Sequence, residues 1–186
     1  MDTETQTQPE VYYPDDFRGR HSTAERIALL ALCAAAAAAR LWVMLARPFN
    51  TAEANLALQT SDTWDTLIRL IGLGAEKHVP HSIKYALLLK LWAAIGGTSE
   101  TWLRIPSMMF GAAGLYFAYL LARRLGGRKV AVVAFALTAL CPYHIMFSGL
   151  AGFESLLFFL CAAAAYFFAR IFFGEEGVAL PLYFLL

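Results

Sequence analysis

The side chains equipped for chemistry concentrate between Arg47 and Arg104. Glu53, Asp62, Asp65, Glu76, His78 and His81 share that stretch with Lys84, Lys90 and the two flanking arginines. A carboxylate there can act as a general base if it comes within hydrogen-bond reach of a hydroxyl or amine. Cations in the same stretch can offset the charge of an anionic ligand. His81 and His144 are candidate ligands for a metal, but no close His/Cys/Glu cluster has zinc-site spacing, so no metal is expected. No cofactor is indicated either.

Those residues must be positioned by apolar elements. The chain has 186 residues, of which 59% are hydrophobic and 16% charged, with a formal net charge of +1. Soluble proteins carry about 25% charged residues, so the composition is that of a membrane protein. The charge balance excludes a nucleic-acid-binding surface. Cys33, Cys141 and Cys161 sit in apolar runs, which excludes a disulfide framework. The expected fold is all-α and polytopic, with about four transmembrane helices and amphipathic interfacial helices in a large external loop.

A spanning helix needs about 20 mostly apolar residues. The pattern predicts spans at 27–46, 105–122, 130–149 and 153–173, with a partial fifth apolar segment at 178–186. Such an ending reads either as a cut in a longer chain or as an interfacial stub. Arg40 interrupts the first span and either snorkels to the interface or points into the protein. Residues 1–26 form a polar tail. Ala34–Ala39, Ser107, Gly111 and Gly114 supply small side chains for close helix packing.

Basic residues set the orientation. Arg18, Arg20 and Arg26 precede the first span, and Arg123, Arg124, Arg128 and Lys129 crowd a turn at 123–129. These belong on the cytoplasmic side, which leaves 47–104 as the external loop and places the N-terminus in the cytoplasm. Within the loop, helical periodicity at Trp64–Leu73 and Ile83–Ile95 predicts two short helices on the outer leaflet, and all four tryptophans lie in or beside it.

The run His81…Tyr85-Ala86-Leu87-Leu88-Leu89-Lys90-Leu91-Trp92 resembles the H-P-P-L-Y-Y-L-L-L-K-L-W stretch of polyprenyl-phosphate-sugar-dependent glycosyltransferases. These are GT-C membrane enzymes, among them the protein O-mannosyltransferases and the lipid A aminoarabinose transferases. Ser99-Glu100-Thr101-Trp102-Leu103-Arg104-Ile105-Pro106-Ser107 is similar to the family's S-E-x-x-L-R-L-P-S. Leu121–Arg128 looks like its G-R-R-L-F-G-R turn, and Pro142–Ser148 resembles P-F-H-I-W-Y-S. The likeness runs over about residues 27–173.

The resemblance implies sugar transfer from a polyprenyl phosphate to an external acceptor, with an Asp-Glu pair after the first span supplying the base. Here that stretch reads Asn50-Thr51-Ala52-Glu53-Ala54, so Glu53 is kept and the Asp position is Ala52. Glu53 is the candidate catalytic residue. Arg104, Lys90 and His81 are candidates for the donor phosphate, with interfacial snorkelling as the alternative for the cations. The family's S-Q-E-A-R-x-Y becomes Ser148-Gly149-Leu150-Ala151-Gly152-Phe153-Glu154, replacing its Glu, Arg and Tyr. Glu154 itself reads as a carboxylate favoured at the N-terminus of the fourth span.

Two functions remain open. One is the N-terminal third of a glycosyltransferase, inactive as this chain alone. The other is a non-catalytic subunit of a respiratory, photosynthetic or envelope complex, built on the same scaffold. The expected partners are the lipid bilayer, a polyprenyl-phosphate-linked sugar and, for the second reading, neighbouring subunits. The expected site is the cytoplasmic (inner) membrane.

Overall fold

The computed structural model describes residues 22–61, 63–72 and 83–173. Seven helices follow one another among these: α1 (Thr23–Ala46), α2 (Thr51–Ser61), α3 (Trp64–Gly72), α4 (Ile83–Gly96), α5 (Glu100–Ala139), α6 (Pro142–Ser148) and α7 (Glu154–Phe172). No strand occurs among the described residues. The protein is an all-α, multi-pass membrane protein. Residues 1–21 of the polar tail, the 178–186 segment, Asp62, Glu76, His78 and His81 lie outside the described residues, and α1 takes in the end of the expected tail from Thr23.

Three helices, α1, α5 and α7, are long and apolar enough to cross a membrane, against the four spans expected. The difference lies in α5, whose 40 residues hold the second expected span and the start of the third. A straight helix of that length would separate Leu115 from Ala139 by about 36 Å at 1.5 Å per residue. Instead the two share one cluster with Ala36, and the rings of Tyr119 and Phe135 meet at 6.1 Å. The chain therefore doubles back at Gly127, the one residue in α5 with non-helical torsions (φ 77°, ψ −173°). A positive φ there suits glycine, which has no Cβ to clash. The expected seven-residue turn at 123–129 is helical apart from this residue.

The expected third span, 130–149, is likewise not one helix. The first helix stops at Ala139, and Pro142 starts α6 after a two-residue break at Leu140 and Cys141. Proline lacks the N–H that would continue the ladder and fits the first turn of a new helix.

Small residues let the helices approach. Ala36, Ala139 and Ala163 are buried, a Cβ on Gly111 would come within 2.6 Å of Ser148 Cβ, and one on Gly114 would strike the Phe158 ring. Large apolar side chains such as Ile27, Trp42, Leu137 and Phe172 remain exposed on the long helices, where a bilayer would solvate them.

Around the loop, α4 packs Tyr85, Ala86 and Leu89 against Leu56 of α2, with Phe110, Phe153 and Leu156 closing the cluster. Its far end is clasped to α5 by two stacked indoles, Trp92 and Trp102, at 4.8 Å. Each indole N–H donates to the other residue's carbonyl, at 2.9 and 3.1 Å. Pro106 cannot donate to the Trp102 carbonyl four residues earlier, and the Trp92 N–H fills that vacancy.

Candidate functional site

The site forms where α1 ends, α2 begins and α5 sets out. Asn50 and Glu53 cap α2 reciprocally. The Glu53 amide donates to Asn50 Oδ1 at 2.8 Å, and the Asn50 amide donates to Glu53 Oε2 at 3.2 Å. This is a capping box, which satisfies two of the donors that a helix start leaves unpaired.

From that position the Glu53 carboxylate reaches Arg104, 51 residues away. Arg104 Nε donates to Oε1 at 2.8 Å and Nη2 to Oε2 at 2.9 Å, a two-pronged ion pair with both side chains about 1% exposed. Arg104 Nη1 donates to the carbonyls of Met44 and Arg47 at 2.6 and 2.7 Å. These belong to the C-terminal end of α1, where carbonyls lack helical partners and a cation is favoured. The guanidinium also lies over the Phe49 ring at 5.1 Å. Finally, the Ala151 amide donates to Glu53 Oε1 at 2.7 Å. One ion pair thus fastens together the end of α1, the start of α2, the start of α5 and the segment before α7.

A neutral knot sits beside it. Tyr85 of α4 donates to Ser107 Oγ at 2.7 Å, while Ser107 exchanges hydrogen bonds of 3.1 Å with the Gly152 carbonyl and amide. The serine has one proton, which goes to the Gly152 carbonyl, so the phenol must be the donor. Burial is the main cause that pushes the Tyr85 pKa up to about 12, and the nearby Glu154 charge adds to it.

Between the knots lies a cavity of about 100 Å³ bordered by Asn50, Ala52, Glu53, Tyr85, Gly152 and Glu154. Ala52 brings a methyl group to its wall where the resemblance expects a carboxylate.

The sequence candidates are thus distributed unevenly. Glu53 and Arg104 come together, but as each other's partners. Lys90 stands apart. Its ammonium donates to the Thr60 carbonyl near the C-terminus of α2 at 2.9 Å and lies 5.2 Å from the Trp64 ring. Among the described residues, no group of three or more His, Cys, Asp or Glu side chains is placed to hold a metal.

A second polar centre lies inside the helices, where sequence reasoning had left Arg40 either inward or snorkelling and had not paired it with His144. Arg40 turns into the protein, and its guanidinium donates to the carbonyls of Ala36 at 2.7 Å and Ala139 at 3.2 Å. It also donates to His144 Nδ1 at 2.7 Å. Arginine has no acceptor, so the imidazole is neutral there with its proton on Nε2. The signal was present: an arginine within an apolar run, and Pro142 two residues before the histidine, ending α5 so that the Ala139 carbonyl is open to it.

Residues 80–185 match the family of dolichyl-phosphate-mannose-protein mannosyltransferases. The match covers more than half of the chain, which therefore belongs to that family of GT-C-type membrane proteins. It includes Tyr85, Lys90, Arg104 and Glu154, whereas Glu53 precedes it. No curated protein and no solved structure matches the chain.

Proposed function

We propose that this chain forms the first-loop scaffold of a glycosyltransferase that draws a sugar from a polyprenyl phosphate and gives it to an acceptor outside the inner membrane. The loop at 47–104 then faces outward, and the N-terminus and the bend at Gly127 face the cytoplasm. Family membership and the basic residues around Gly127 support this reading.

The observation that carries it furthest is the state of Glu53. Each of its oxygens accepts two hydrogen bonds, from Arg104 and from a backbone amide. A carboxylate so occupied holds the loop in place and is not free to take a proton, and Ala52 offers no substitute. In this reading Glu53 and Arg104 position the loop, and the chain alone does not turn over. The same observation favours a second reading, in which the scaffold serves as a non-catalytic subunit of a membrane complex.

Purified chain in lipid nanodiscs, offered a short-chain polyprenyl-phosphate sugar with serine-containing and lipid acceptors, separates the two. Donor binding without turnover is expected. Stoichiometric co-purification with a membrane complex and no donor binding would favour the subunit. Turnover that Glu53→Gln abolishes, in a variant that stays folded, would overturn the scaffold role.

A further inference from the structure

The cavity beside the ion pair has polar groups of two kinds. Asn50 Oδ1, both Glu53 oxygens and the Tyr85 proton are committed to protein partners. Glu154 is not: its carboxylate has no hydrogen bond or ion pair among the described residues, although the side chain is half-buried. It folds over Gly152, and a Cβ at position 152 would collide with its Oε2, so the missing side chain at 152 makes the space it uses. The start of α7 has no side-chain cap, and Glu154 therefore does not act there as a hydrogen-bonding cap. A half-buried carboxylate left without donors is unfavourable unless something hydrates or binds it.

We propose that Glu154, not Glu53, is the carboxylate this cavity presents to a substrate, accepting a hydrogen bond from a hydroxyl or amine on a short carbon stem. Volume selects the group. A water takes about 30 Å³ of liquid, so about 100 Å³ holds roughly three. That suffices for a hydroxymethyl or aminomethyl tip. Leu56, Phe147 and Leu150 give the stem apolar walls. Tyr85, whose proton goes to Ser107, is left with only a neutral oxygen as acceptor, weaker than the Glu154 carboxylate. Assigning the tip to the acceptor rests on the transferase reading, while the binding geometry does not.

The test is carbodiimide labelling of the chain in nanodiscs free of sugar detergents, read by mass spectrometry at each carboxylate. N-acetylserine amide and, separately, an alkyl glucoside serve as hydroxyl probes, and protonated trimethylamine, which cannot form an amide with the activated carboxylate, as the amine probe. Glu154 should label at least about tenfold faster than Glu53, and one class of probe should slow it several-fold. Glu154→Gln, near-isosteric, should keep the thermal midpoint and bind that probe roughly tenfold more weakly, the scale of a lost charge-assisted hydrogen bond. An unlabelled Glu154, or labelling that no probe slows, overturns the proposal. Donor binding with no protection at Glu154 would sink this inference and leave the transferase reading standing. Protection by a probe with no donor binding would keep the cavity's role and remove the transferase reading.

Discussion

Arg104 and Arg40 are both almost fully buried, at 1% and 3% exposure, yet their charges are met in different ways. Arg104 faces a carboxylate in a two-pronged pair and adds two carbonyls at the end of α1. Among the described residues, Arg40 meets no carboxylate. It is held by two carbonyls and a neutral imidazole, and its Nε is left without a partner. The first centre lies where the loop meets the spans and joins four segments. The second lies inside the helices at a deliberate break, where the end of the second arm of α5 supplies a carbonyl and the negative end of a helix dipole. A buried guanidinium thus needs aligned acceptors, and a counter-charge is only one way to provide them.

Breaking the Arg104 centre should have the largest effect. Arg104→Met leaves Glu53 buried without a counter-ion, and removal of one partner from a buried pair costs about 3–5 kcal/mol. Unfolding in detergent or bicelles should show this loss, and Glu53→Gln added to Arg104→Met should recover part of it. Recovery of nothing would mean that the pair does not act as a unit.

Arg40→Met should cost less, about 1.5–3 kcal/mol, because it removes hydrogen bonds to a charged group and strands no opposite charge. The contrast sharpens if His144→Phe in the Arg40→Met background adds little further loss. A penalty equal to that of Arg104→Met would erase the distinction between the two centres.

Smallest is the neutral knot. Tyr85→Phe should cost about 1 kcal/mol, the value of one hydrogen bond. Its pH dependence has a definite sign. The folded pKa, about 12, lies above the ordinary value of 10, so the stability tied to the neutral phenol is full below pH 10 and fades as pH rises toward 12. The wild-type chain should therefore lose stability relative to Tyr85→Phe across that window. Parallel profiles would show that the phenol stays exposed to water.

How far the sequence carried depended on the range of each signal. Long apolar runs with basic flanks announced a helical membrane protein, because bilayer thickness acts on contiguous residues. The sequence placed a turn at 123–129 between two spans, but that the reversal takes Gly127 alone and sets Tyr119 against Phe135 is stated by no local pattern. Helix α2 escaped notice because Thr51–Ser61 has little apolar periodicity, although Asn50 and Glu53 carried the spacing of a capping box. Glu53 and Arg104 were both singled out, for unrelated tasks. Their pairing across 51 residues is a tertiary fact that no local pattern states.

The one-residue reversal at Gly127 carries a consequence for sequence drift. Tyr119 and Phe135 stand eight positions to either side of it, so the bend fixes the phase of one arm against the other. Most surface connections absorb insertions and deletions, but here a single added residue would rotate everything after it by about 100° and advance it about 1.5 Å. Ala131 and Ala139, now fully enclosed, would turn outward, and the carbonyl that meets Arg40 would leave its place. Length at this bend should therefore vary far less freely than residue identity in the basic positions around it.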